Sequence, residues 1–257
     1  MSGFSAEWLA LREPADAAAR SADLAAFVAR RFEGRLLDLG GGTGANIRYL
    51  STRLPSPQHW VIVDDDQALL AHAPAGVTRH PADLNRVVEE DELFAGCSLV
   101  TASALLDLMS DAWLEKLVLR CRAAGAAVLF ALSYDGRIVC SPEDAEDEDI
   151  RQLVNQHQQT DKGCGPALGP SAAARTSALL SAAGYVVKQE TSDWTLVPGE
   201  RDLQRELVDG RAGAALEMAP QRKNAIEAWR TRRIGHIDAG RSRIVVGHVD
   251  VAGICRA

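Results

Sequence analysis

The stretch LLDLGGGTGANIRYL, residues 36–50, places four glycines in five positions directly behind an apolar run. RLLDLG (35–40) reads as a strand and ANIRYLSTRL (45–54) as the helix behind it, so the glycines occupy a strand–turn–helix junction. At such a junction the first backbone N–H groups of the helix have no partner within it, and the chain can come close to a ligand. Asp38 stands two residues ahead of the turn, and its charge bears on what that ligand can be.

Working outward, short apolar runs alternate with helical patterns. HWVIVD (59–64) is a second strand followed by the helical QALLAHA, and GVTRH (76–80) is a weaker third. CSLVTAS (97–103) is a fourth, followed by the helical DAWLEKLVLRCRAAG, which Gly125 closes as a C-cap. AAVLFAL (126–132) is apolar throughout, as expected of a strand covered on both faces. This alternation predicts an α/β fold, a doubly wound (Rossmann-like), mostly parallel sheet.

The 257 residues, 47 % of them hydrophobic, suffice for one large core and a single domain. Charged residues make up 25 % and the net charge is −7, which argues against a reader of duplex nucleic acid. MSGFSAEWLALREP lacks the features of a signal peptide, and no run of eighteen apolar residues occurs. A cytoplasmic chain with no membrane partner is expected. Cys97, Cys121, Cys140, Cys164 and Cys255 are scattered without ligand spacing, so reduced thiols and no metal site are expected. Nothing in the sequence specifies an oligomeric state.

Residues 40–45, GGGTGA, fit the G-x-G-x-x-G/A dinucleotide pattern, a weak signal by itself. The same stretch also sets Asp38 before glycines at every second position, Gly40, Gly42 and Gly44. That resembles motif I of the class I S-adenosylmethionine-dependent methyltransferases, (D/E)-x-G-x-G-x-G. A carboxylate beside the turn repels a pyrophosphate and attracts a cofactor bearing an ammonium and a sulfonium. Asp38 therefore favours S-adenosylmethionine, with S-adenosylhomocysteine as product. Ser103-Ala104-Leu105-Leu106 stands where many amino-methylating nucleic-acid enzymes carry Asn/Asp-Pro-Pro-aromatic, so a small-molecule methyl acceptor is expected. The resemblance covers roughly residues 35–133, the cofactor-binding core. It resumes at AAGYVVKQETSDW (182–194) and RSRIVVGHVDV (241–251) as the last strands, the final one antiparallel. Residues 1–33 are expected to form an N-terminal helical cap, and 134–170 and 195–240 helical lid insertions.

By the same resemblance Asp64, closing the second strand, would take both ribose hydroxyls, a role a carboxylate suits because it accepts from two O–H donors. Asp65 and Asp66 are expected either along the adenine side or as N-terminal acids of the next helix, with capping put first for Asp66. Asp83 would accept from the adenine amino group with Leu84 beside it, or else cap the helix at 85–91. Ser103, Ala104 and Leu105 would border the donor methyl group. Arg12, Asp16 and Arg20 recur at helical spacing, either as a solvated ion-paired face or with Arg12 or Arg20 over the cofactor carboxylate. Pro14 suggests a helix start that leaves Arg12 in a loop.

Proton removal from the acceptor is open to Asp107, otherwise a helix-leading acid, and to His157, otherwise a surface histidine. Tyr134, Asn155 and Gln158 are candidate substrate contacts, with Asp161 from the same element. PEDAEDEDI (142–150) holds six acids in seven positions and reads as a solvated loop and helix start; QRKNAIEAWRTRR (221–233) reads as an exposed basic helix. Two other readings stand beside methyl transfer. An NAD(P)-dependent oxidoreductase is supported by GGGTGA and Asp64 and opposed by Asp38 and the late strands. A non-catalytic S-adenosylmethionine-binding protein fits the lack of an unmistakable base.

Overall fold

The computed structural model describes residues 4–30 and 34–255. Residues 1–3 and 31–33 of the expected N-terminal cap lie outside these. Eight strands form one sheet: β1 (Arg35–Leu39), β2 (His59–Asp64), β3 (Thr78–Pro81), β4 (Leu99–Ser103), β5 (Ala127–Ser141), β6 (Tyr185–Thr191), β7 (Trp194–Leu196) and β8 (Arg243–Cys255). Their order is β3-β2-β1-β4-β5-β8-β6, with β7 also pairing β8. The pairs among β1 to β5 are parallel, whereas β8 runs antiparallel to β5, β6 and β7. The antiparallel last strand is thus slotted between β5 and β6, and the expected doubly wound fold is present.

Strand side chains alternate between two helix-covered faces, which is why the runs are apolar without a break. Leu36, Ile62, Leu99 and Leu129 pack with Leu24, Val28, Ile47 and Leu50 on one face. Leu37, Val63, Val100 and Val128 pack with Leu114, Leu117 and Leu180 on the other. A third core lies apart from these. It joins Ile150, Val154, Trp194, Leu203, Val208, Ile226, Trp229 and Val246, most of them from the two long insertions.

Three local expectations need correction. The segment 134–141 is not part of an insertion: β5 continues to Ser141, with register shifts after Phe130 and Tyr134, because the 13-residue β8 offers it a partner along its length. The helix Ala6–Ala19 runs through Pro14, so Arg12 is helical rather than in a loop. Ser5 caps that helix by accepting from Trp8 N, and Trp8, Leu11 and Ala15 pack into the third core, which outweighs the lost hydrogen bond at proline.

The acidic and basic runs are not separate solvated faces either. They neutralise each other across the helices Asp147–Gln158 and Lys223–Asp238. Arg232 bonds Asp144 and Glu146, Arg222 bonds Asp149, and Trp229 donates to Asp147 at 2.8 Å. Arg233, 1 % exposed, pairs with Asp147 and donates to the Pro142 carbonyl. Leaving such a guanidinium unpaired is costly, although partial exposure of Asp147 moderates the loss. Asp147→Asn is expected to lower the unfolding free energy by about 2 kcal/mol, read from urea denaturation.

Candidate active site

β1 lies between β2 and β4, so its carboxyl end opens at the centre of the sheet, where ligands bind in open α/β folds. There the glycine turn runs into the helix Ala45–Ser51. Gly42 adopts φ +52°, and its N–H donates to Asp64 Oδ2 at 2.8 Å. Gly41, outside the expected set, has a stricter need: a Cβ there would lie 2.4 Å from Ile62 and 2.8 Å from Asp38 Oδ2. The N-terminal helix closes over this turn, with Leu9 against Gly42 and Glu13 paired to Arg48 at 2.6 Å.

Asp38 is fully buried in the floor of a cavity of about 130 Å³. Its Oδ1 accepts from Asn46 Nδ2 at 2.5 Å, and its Oδ2 has no partner among the described residues. Burial pushes the carboxyl up to about 7, against the pull of Asn46 and Arg20. Asp64 lines the same cavity and is also raised by burial; its oxygens accept from the Gly42 and Asp66 amides, which leaves lone pairs free. Gly40, Asp65, Leu84, Ser103, Ala104 and Leu105 complete the wall. Asp66 caps the next helical turn as expected.

Asp83 behaves differently from its cofactor reading. It is exposed, caps the helix Leu84–Val87 through Asn85 N at 2.9 Å, and does not line the cavity. Arg12 lines the cavity but is bound bidentately to Asp16 at 2.9 and 3.1 Å and stacks on Trp194 at 5.0 Å. That face is therefore largely buried rather than solvated. Arg20 lies over the Tyr49 ring at 4.1 Å and is absent from the cavity wall.

A second cavity of about 730 Å³ adjoins the first, the two sharing Phe4, Arg12, Ala104 and Leu108. Backbone strain marks the junction. Ala104 (φ +52°) and Leu132 (φ +56°) are non-glycine residues in the left-handed region, and Asp250 holds the Leu132 N–H at 2.7 Å. Asp107 enters the large cavity from the 3₁₀ turn Leu106–Leu108. It does not lead the next helix, a role Ser110 takes through Trp113 N. Asp107 is buried, its Oδ1 lacks a partner among the described residues, and burial raises it to about 6.

His157 and Gln158 also line this cavity. His157 Nε2 lies 3.0 Å from Glu217, and Lys162 approaches the ring at 3.3 Å. Tyr134 lines the wall and donates to Asn155 Oδ1 at 2.7 Å, while Asn155 donates to the Gly136 carbonyl. Asn155 thus holds the phenol in place and does not itself line the cavity. Asp161 lines the cavity from an exposed loop, where its carboxylate closes a turn onto the Gly163 and Gly165 amides.

Sequence reasoning missed His248, Trp194 and Arg211, all in this wall. His248 packs between Tyr134 and Trp194 and is driven down to about 3 by burial and then by Arg12, so it is a neutral ring at ordinary pH. Its signal was a histidine interrupting the apolar RIVVGHVDV. For Arg211 the signal was an arginine falling on the buried stripe Gln204, Val208, Ala212 and Ala215 of its helix. Among the described residues no cluster of side chains suits a metal ion, and no helix is long and apolar enough to cross a membrane.

No family model matches the chain, and no curated protein matches it in sequence. Solved structures do. A cyclopropane-fatty-acyl-phospholipid synthase-like protein from Lactobacillus casei is 12 % identical with a TM-score of 0.59, over 98 % of this chain and 95 % of that one. The cyclopropane synthase MmaA2 from Mycobacterium tuberculosis is 13 % identical with a TM-score of 0.48, over 90 % and 82 %. A Haemonchus contortus phosphoethanolamine N-methyltransferase is 16 % identical with a TM-score of 0.43; 88 % of this chain matches 50 % of that one, so the chain spans half that enzyme's length. With the strand order and the β1 glycine turn, the first of these likenesses identifies the architecture: the chain has the class I methyltransferase fold.

Proposed function

We propose that the chain transfers a methyl group from S-adenosylmethionine to a small-molecule acceptor, the donor in the small cavity and the acceptor in the large one. The orphaned Asp38 Oδ2 carries this reading. An ammonium satisfies it, whereas the pyrophosphate of a nicotinamide dinucleotide would meet Asp16, Asp38, Asp64 and Asp65 with only the already paired Arg12 to offset them. Asp64 retains acceptor capacity for a ribose diol, and Asp65 and Leu84 border the adenine side.

When bound, the donor supplies an electrophilic methyl on a sulfonium. The protein's part is alignment of a nucleophile at the Ala104–Leu108 junction and, where the nucleophile carries a proton, its removal by Asp107. Exclusion of water falls to the N-terminal helix and to the insertions, which act as the lid. The name of the similar Lactobacillus casei protein, a cyclopropane-fatty-acyl-phospholipid synthase-like protein, agrees with a non-polymeric acceptor.

Calorimetric titration with S-adenosylhomocysteine, NADH and NADPH tests the reading. Micromolar binding of the thioether alone is expected; binding of a nicotinamide cofactor instead would overturn it. His157 stands at the rim with Glu217, whose side chain is 73 % exposed, and so it is a poor candidate for the base. His157→Gln is expected to change the rate with any competent acceptor by less than about threefold, the scale of a lost surface ion pair.

A further inference from the structure

Among the described residues, the large cavity holds a cation without a counter-ion. Arg211 lies on the helix Arg201–Met218 and is only 6 % exposed. Its guanidinium makes one long contact, from Nη1 to Cys140 Sγ at 4.0 Å, and its buried Nη2 has no acceptor among the described residues. A guanidinium keeps its proton in proteins, so the charge persists despite burial.

The other charged groups of the wall do not answer it. Asp161, Glu206 and Glu217 stand at exposed positions, and Arg12 and Lys162 are cations themselves. Asp147, which feels Arg211 only through space, is committed to Arg233. Asp107 is itself without a partner on Oδ1. A buried unpaired charge is costly, and an apolar residue of similar shape would avoid that cost at this position. The same cavity wall also carries Tyr134, Ile138, Trp194, Val246 and the neutral His248.

We infer that the acceptor carries an oxyanion, a carboxylate or a phosphate, which pairs with Arg211 while an apolar or aromatic body lies along Tyr134 and Trp194. Paired N–H donors of a guanidinium match two oxygens of either group and fix the orientation as well as the position of the ligand. The anionic head then points into the lid and the opposite end of the molecule toward the junction with the donor cavity. The word acceptor rests on the methyl-transfer reading; the anion site does not.

The test is calorimetry on the full chain with 2-naphthoate, 2-naphthyl phosphate and the neutral 2-naphthamide. At least one anion is expected to bind about 10-fold or more tightly than the amide, as befits a hydrogen bond to a charged group. The tighter of the two anions names the head group. Arg211→Gln is expected to erase the preference and Arg211→Lys to restore part of it, with S-adenosylhomocysteine binding unchanged in both. Arg211→Met, which removes the buried charge, should melt at or above the wild-type temperature. An amide that binds as tightly as the anions, or an anion preference that survives Arg211→Gln, would overturn the inference. So would an Arg211→Met melting temperature several degrees lower, since the guanidinium would then be serving the fold. Wild-type protein that prefers anions but ignores S-adenosylhomocysteine would remove the methyl-transfer reading alone.

Discussion

Asp38→Asn is expected to weaken S-adenosylhomocysteine binding about 100-fold or more while leaving the protein folded. The exchange keeps the size of the side chain and its contact with Asn46 but removes the charge at the unpartnered Oδ2. Truncating one member of a buried charge pair costs on the order of 3 kcal/mol in binding. The pH dependence makes the test specific. Burial raises Asp38 to about 7, so in the free protein the carboxyl gains a proton as pH falls through that value. Affinity for the ammonium-bearing ligand should therefore rise between pH 5.5 and 7 and level off above about 8, and the Asn variant should lack this rise.

Stability carries the opposite sign. A carboxyl raised above its unfolded value of about 3.9 contributes stability below that value and loses it as pH rises through the folded one. The free wild-type chain should thus lose stability relative to the Asn variant from about pH 4 to 7. Bound ligand compensates the buried anion, so the increase in melting temperature on adding S-adenosylhomocysteine should be larger at pH 8 than at 5.5. Unchanged affinity in Asp38→Asn would refute the assignment of the cavity.

What could be read from the sequence divides along a physical line. β1 through β5 and their glycine turn were legible because each feature is local: apolar runs buried on both faces, a capping glycine at Gly125, an acid two residues before a turn. Asp38, Gly42 and Asp64 line one cavity for the same reason, each being set by its own strand end or turn. The wall of the large cavity was not legible because it is assembled from distant segments. Tyr134 on β5 meets His248 on β8 only through antiparallel pairing, and Trp194 reaches them from a three-residue strand. The acidic and basic runs each looked solvated because the partner of each lies some 80 residues away along the chain, as with Arg232 and Glu146 at a separation of 86. Asp107 was ambiguous for a related reason. An acid before a helix is commonly a cap, and only the tertiary structure shows Ser110 taking that role and Asp107 turned into the cavity.

That placement makes Asp107 the residue whose loss should most affect turnover. With an acceptor whose nucleophile must give up a proton, Asp107→Asn is expected to lower kcat on the order of 1,000-fold, within the range typical of a positioned general base, and to leave S-adenosylhomocysteine affinity unchanged. The neighbouring titratable groups support the choice. His248 has been driven to about 3, too weak a base to draw a proton efficiently near neutrality, and Tyr134 is raised to about 12 by burial and stays protonated. Asp107, raised to about 6, is ionised at neutral pH yet more basic than an exposed carboxylate. Turnover should therefore rise as pH passes 6 and reach a plateau above 7, because the base must be deprotonated, and Asp107→Asn should lack that limb. Asp107→Glu, which keeps the base but moves its oxygens, should retain the limb at a reduced rate. A wild-type rate in Asp107→Asn would remove the carboxylate from the chemistry and leave alignment at the Ala104–Leu108 junction as the protein's whole contribution to transfer.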